Sequence, residues 1–181
     1  MLQLNFSPFP QLAIKRLVLR QLTVADADAI AALRSNEIVN KYLGRSKTTS
    51  PAEAIQFIDK INTAISNNTA LYWVIALQET NELVGTICLW NIIIEDDTAE
   101  IGYELHPNFH GKGIMQEAMK AVIAYGFNKM QLKVITAFTL AENIASLKLL
   151  EKNNFKPDTS GKHSTPDDEG NIVYMLEKIQ L

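Results

Sequence analysis

The sequence has a single cysteine, Cys88, so no internal disulfide can form, and the chain suits a reducing compartment. No apolar run approaches the ~20 residues that a membrane-spanning helix requires. The N-terminal stretch MLQLNFSPFP lacks the basic residues and apolar core of an export signal. A cytoplasmic location without a membrane partner is the expectation. Basic charge is not in excess either: 17 Lys and Arg face 20 Asp and Glu, a net charge of −3. Proteins that bind nucleic acid mainly through its phosphates carry a positive surplus, so nucleic acid is not an expected partner. Histidine is scarce. His106 and His110 are separated by Pro107, without the carboxylate pattern of a zinc-binding helix, so no metal is expected.

What is present suits a globular protein. Apolar residues make up 47% and charged residues 20% of the 181 residues, enough for a sizeable core in one domain spanning 1–181. Residues 1–13 read as an extended lead-in, and Arg16 to Arg20 as a short alternating strand. Thr23 can cap a helix on Ile30 and Leu33, with Asp26 three residues beyond it. Residues 36–49 read as a polar connection. Ser50-Pro51-Ala52-Glu53 then has the form of a capping box with proline at the first helical position, opening a helix to about Ile65. Strands are expected at Leu71–Leu77, Leu83–Ile94, Ala99–Leu105, Leu132–Phe138 and Asn171–Ile179, and a polar loop at 157–170. Asn143 can cap a helix carrying Ile144, Leu147 and Leu150. Cys88, between Ile87 and Leu89, reads as a small buried hydrophobe rather than a nucleophile.

The stretch from Ala99 to Phe127 organises the chain. Its strand ends at His106-Pro107-Asn108, passes through Gly111-Lys112-Gly113, and enters a helix whose apolar face holds Met115, Ala118, Met119 and Val122. A glycine turn running into a helix presents unpaired N–H groups at the positive end of the helix dipole, a site for phosphate. Neither the nucleoside-triphosphate loop nor the dinucleotide fingerprint fits, because Gly-Lys-Gly replaces Gly-Lys-Ser/Thr and Gln116 stands where a third glycine belongs.

Asn108-x-x-Gly111-x-Gly113 resembles the acyl-CoA loop of the GNAT acetyltransferases, Gln/Arg-x-x-Gly-x-Gly/Ala, with Asn108 departing at the first position. With AEIGYEL before it and MQEAMKAVIAYGF after it, the stretch is similar to the RimJ/RimL-type ribosomal-protein N-acetyltransferase branch. The resemblance extends over nearly the whole element order. It implies the GNAT α/β (α+β) fold: a mixed, mostly antiparallel central sheet of about seven strands with helices on both faces. It further implies that the strands flanking the phosphate helix splay apart to admit the pantetheine arm. Acetyl-CoA is the implied co-substrate, held around Leu105, His106, Phe109, His110, Gly111, Lys112, Gly113, Ile114 and Met115, with Asn143 also in contact. Lys112 either neutralises phosphate charge or is simply solvated, and His110 is placed to donate to a phosphate.

Acyl transfer to an amine needs a base to produce the neutral amine, an N–H donor for the oxyanion and a proton for the departing thiolate. Glu100 and Glu104 lie on one face of the strand leading into the loop. Glu100 occupies the position whose counterpart is the base in parts of the superfamily; the alternative is a solvated strand face for either glutamate. Tyr103, of opposite parity, reads as core. In Asn143-x-x-Ser146 both residues are explained by helix capping alone, while the resemblance makes Ser146 the thiolate acid. The RimL-like branch draws its base from the segment after the next Phe; here Phe155-Lys156-Pro157-Asp158 keeps no matching glutamate. The expected reaction is transfer of an acetyl group to a primary amine, either a protein N-terminus or a small molecule, by direct attack in a ternary complex. The competing reading is a non-catalytic acyl-CoA-binding or sensing module. A homodimer is compatible with both.

Overall fold

The computed structural model describes residues 1–45, 47, 50–163 and 170–178. Eight strands form one sheet in the order β1-β2-β3-β4-β5-β6-β8-β7. They are β1 Leu12–Ala13, β2 Leu17–Gln21, β3 Leu71–Leu77, β4 Leu83–Ile93, β5 Thr98–Leu105, β6 Val134–Leu140, β7 Lys156–Pro157 and β8 Asn171–Glu177. All neighbours are antiparallel except β5 and β6. The helices are α1 Ala27–Ser35, α2 Glu37–Asn40, α3 Pro51–Ser66, α4 Ile114–Tyr125 and α5 Ile144–Lys152. Two strands have no counterpart among the expected ranges: β1, two residues of the lead-in that pair with β2, and β7, two residues that pair with β8. Each is too short to leave an alternating pattern in the sequence.

Two neighbouring residues of β3 show how the sheet is covered. The ring of Tyr72 packs against Phe57 of α3, and that of Trp73 against Tyr125 of α4. Successive strand residues face opposite sides, so α3 and α4 lie on opposite faces of the sheet. Trp73 is fully buried, and its indole N–H donates to the Pro10 carbonyl at 2.7 Å, which satisfies the one polar atom it brings into the core.

Helix starts follow local chemistry. Ser50 Oγ accepts from the Glu53 N–H at 3.3 Å, with Pro51 at the first position of α3. The backbone N–H and hydroxyl of Thr23 both donate to the Asp26 carboxylate, which the Arg20 guanidinium grips on its two oxygens at 2.9 and 2.7 Å. Residues 36–49 are not only a connection: Asn36 Oδ1 accepts from the N–H groups of Ile38 and Val39 and starts α2, whose four residues are too few for a period to show. β6 begins later than Leu132. The chain leaves α4 in a wide π-type turn over Gly126–Met130, and the Leu132 N–H closes it on the Gly126 carbonyl at 3.0 Å. Leu132 is thereby buried in the turn and not in the sheet. Of the 157–170 loop, 164–169 lie outside the described residues, as does the end of the last expected strand at Ile179. No helix among the described residues is long and apolar enough to cross a membrane.

Candidate active site

β5 and β6 pair over only three positions, Thr98 with Val134, Ala99 with Ile135 and Glu100 with Thr136. β5 continues to Leu105 and β6 to Leu140, but from residue 101 onward β5 pairs only with β4. Past Glu100 the two parallel strands therefore diverge, as the family resemblance implied. The gap lies between the helix that follows β5 and the one that follows β6.

At one end of the gap, β5 gives way to the glycine turn. His106 Nδ1 accepts from the Asn108 N–H at 3.3 Å and starts a 3-10 turn over Pro107–Phe109. Gly111 and Gly113 both have positive φ, +72° and +74°, which a side chain bearing Cβ adopts only with strain. Gly113 is the N-cap of α4, so the first amides of that helix point out of the turn. His110 Nε2 donates to the Leu105 carbonyl at 2.9 Å, and Lys112 Nζ sits 5.3 Å from the centre of the Phe109 ring.

Sequence reasoning missed the residue that anchors this turn. Arg16, immediately before β2, donates through Nη2 to the Lys112 carbonyl and through Nε to Glu117 Oε1 at 2.9 Å. The contact spans about a hundred residues of chain, and no local pattern announces it.

The gap holds two cavities. The larger, about 620 Å³, starts at the turn, where Leu105, Phe109, His110, Gly111, Gly113, Ile114 and Met115 line it. It passes under Ile38, Val39 and Tyr42 to Asn143 and Ser146 on the α5 side. His106 and Lys112 are not among its lining residues. The smaller cavity, about 230 Å³, is lined by Glu100, Tyr72, Trp90 and Thr139 among others. Six residues line both: Tyr42, Leu43, Tyr103, Glu104, Asn143 and Ser146.

Around this junction the polar groups are specific. Asn143 Oδ1 accepts from the Ser146 N–H at 3.2 Å, capping α5. Ser146 is buried, and its Oγ lies 2.7 Å from the Tyr103 hydroxyl. Tyr103 packs against the core, as expected, and also lines both cavities. Where β5 has lost its neighbour, a side chain on either face can border the opening. Burial pushes the Tyr103 phenol up to about 12, so it stays protonated at neutral pH. Glu104 is gripped on both oxygens by Arg45 from the α2–α3 connection. Cys88 borders the smaller cavity, and its surroundings push the thiol up to about 12, which leaves it protonated. The Thr139 hydroxyl is buried and has no hydrogen-bond partner among the described residues. Among those residues no three His, Cys, Asp or Glu side chains cluster as metal ligands would.

A family model described as an acetyltransferase (GNAT) domain matches residues 16–156. The uncharacterized N-acetyltransferase YoaA of Bacillus subtilis is 36% identical over 150 residues, 83% of this chain and 85% of that protein. Among solved structures, the ribosomal-protein-S5-alanine acetyltransferase of Vibrio fischeri superposes with a TM-score of 0.77 at 21% identity, covering 93% of this chain and 96% of that one. The microcin C7 self-immunity acetyltransferase MccE, in complex with acetyl-CoA and AMP, gives a TM-score of 0.77 at 21% identity over 91% of this chain and 94% of that one. At that identity the two structures speak for the fold, while the domain match and the B. subtilis relative reach through the glycine turn itself. The chain belongs to the GNAT acetyltransferase family.

Proposed function

We propose that this chain is an N-acetyltransferase of RimJ/RimL-like type, acting as one domain over 1–181, that passes the acetyl group of acetyl-CoA to a primary amine. The observation that carries this reading is the divergence of β5 and β6 past Glu100, with a glycine turn entering a helix at one end and a carboxylate and paired hydroxyls at the other. The bound acetyl-CoA in MccE supports the choice of donor. Its diphosphate would lie on the amides at the start of α4, in the hollow that Gly111 and Gly113 leave free of Cβ atoms. The pantetheine arm would follow the larger cavity, with the thioester at the junction beside Ser146.

The acceptor would enter through the smaller cavity. Glu100 there takes the proton that a protonated amine must lose, directly or through water, because an unperturbed α-amine has a pKa of ~7.7–8.0. Glu104 is a weaker candidate for the same task because Arg45 occupies both its oxygens. Amides on the β5 edge facing the gap would stabilise the oxyanion. Ser146 then supplies the proton to sulfur. The ribosomal-protein acetyltransferase among the structural neighbours supports a protein N-terminus as acceptor; a small amine would suit the size of the cavity equally. The single cysteine supports action in the cytoplasm.

Thiol release from acetyl-CoA, measured with peptide N-termini and small amines, tests this reading. Amine-dependent release is the expected result. Tight CoA binding with no release for any amine would make the chain the non-catalytic module instead.

A further inference from the structure

The Tyr103 and Ser146 hydroxyls lie 2.7 Å apart at the one place where the two cavities share their lining. From this placement we propose that the two hydroxyls form a relay that carries a proton from the attacking nitrogen to the departing sulfur. The inference rests on the transferase reading above and adds Tyr103 to its machinery.

Proton balance requires such a path. An ammonium and a thioester give an amide, a thiol and one free proton, so nitrogen loses two protons and sulfur gains one. The first leaves before attack, through Glu100 to solvent. The second becomes acidic only when the C–N bond has formed, at the moment the C–S bond breaks and its electron pair goes to sulfur. Nitrogen then gives this proton to Tyr103 Oη, Tyr103 passes its own to Ser146 Oγ, and Ser146 passes its own to sulfur. Each hydroxyl gains one proton and gives one. Both end neutral, and rotation of the two O–H bonds resets the pair.

Neither hydroxyl could do this alone. If Ser146 gave up its proton with no replacement, a buried alkoxide would remain. Tyr103 stays a neutral phenol at working pH, so it has no charge to gain or lose on balance and serves only to pass protons. The Asn143 side chain caps α5 at the Ser146 N–H, which fixes the first turn that carries the Ser146 hydroxyl.

Three variants test the relay: Tyr103→Phe, which keeps the ring volume, Ser146→Ala, and the double variant. Each single change should lower kcat by ~10²-fold, the usual scale for losing a positioned proton-transfer group, with KM for acetyl-CoA little changed. The double variant should be within about threefold of either single one, because two members of one chain fail together. In mixtures of light and heavy water the wild type should show a curved dependence of kcat on deuterium content, from more than one proton in flight; Tyr103→Phe should show a straight one. A readout without turnover is the thiol pKa of bound CoA, followed by thiolate absorbance. It should rise by about one unit in Ser146→Ala and rise also in Tyr103→Phe, as the thiolate loses its donor and then the support behind it. Wild-type kcat in Tyr103→Phe, additive losses in the double variant, or an unmoved thiol pKa would each overturn the relay and leave the transferase reading intact. A wild-type chain that binds CoA with a shifted thiol but releases none with any amine would overturn both.

Discussion

Arg45 forks onto both carboxylate oxygens of Glu104, 59 residues away in the chain, and its Nε donates to Asn40 Oδ1 at 2.9 Å. The pair is mostly buried, with side-chain exposures of 22% and 13%. It fastens the connection after α2, whose Tyr42 and Leu43 border both cavities, to the open edge of β5. Glu104 is thereby used as an anchor.

Removing one partner should expose this. Arg45→Ala removes the two hydrogen bonds that fork onto the carboxylate, and a polar group left without its partners at this depth costs on the order of 1–3 kcal/mol. Urea unfolding should show that loss. Glu104→Gln should retain kcat within about threefold; a hundredfold fall would restore Glu104 to the list of bases.

Gly111→Val should weaken CoA binding by ~10²-fold or more while the protein stays folded. Nothing lies within 4 Å of where the Cβ would stand, so the obstacle is the positive φ of 72° and not crowding. A turn that relaxes to negative φ no longer aims its amides at a diphosphate. Calorimetric titration with CoA gives the answer directly, and unchanged affinity would remove the turn from the site.

Glu100→Gln should lower kcat by ~10²-fold near neutral pH and leave CoA affinity as it was. Because the missing step is deprotonation of the amine, raising the pH toward the amine's own pKa should recover part of the loss. A variant as active as wild type at every pH would show that the amine reaches the site already neutral.

Arg16→Ala should raise KM for acetyl-CoA by about tenfold with little change in kcat, because the guanidinium holds the Lys112 carbonyl and α4 in one arrangement. The Arg16–Glu117 pair is half-buried, with Glu117 Oε2 buried and without a partner among the described residues, so its loss should cost on the order of 1 kcal/mol of stability. Equal losses in kcat and stability would instead point to a general weakening of the fold.

Stability should also fall on acidification through Asp26. Burial alone would raise its pKa, but the hydrogen bonds from Arg20 and Thr23 outweigh that and hold it below the usual carboxylate value. A group whose folded pKa is depressed adds stability above its unfolded pKa of ~3.9, and the contribution fades as pH falls toward the folded value. Asp26→Asn should therefore lower the melting temperature at pH 7 and flatten its decline between about pH 5 and 3.

The glycine turn, the capped start of α3 and the strands β3 to β5 were legible in the sequence because each is set by neighbours a few residues apart. Ser50 with Glu53, the unbroken apolar run Leu71–Leu77, and Gly111 with Gly113 are local signals of capping, a buried strand and backbone freedom. The expectation of a phosphate site at this turn came from the same short range. Tertiary structure alone decided what surrounds the reacting atoms. Arg16 reaches Glu117, Arg45 reaches Glu104 and Tyr103 reaches Ser146 across 101, 59 and 43 residues. Such pairs meet only once the sheet has assembled and β5 and β6 have parted. No periodicity in the chain encodes that parting. It is a property of two strands and the helices packed behind them, and it made Tyr103, a residue packed on the core, also a wall of both cavities.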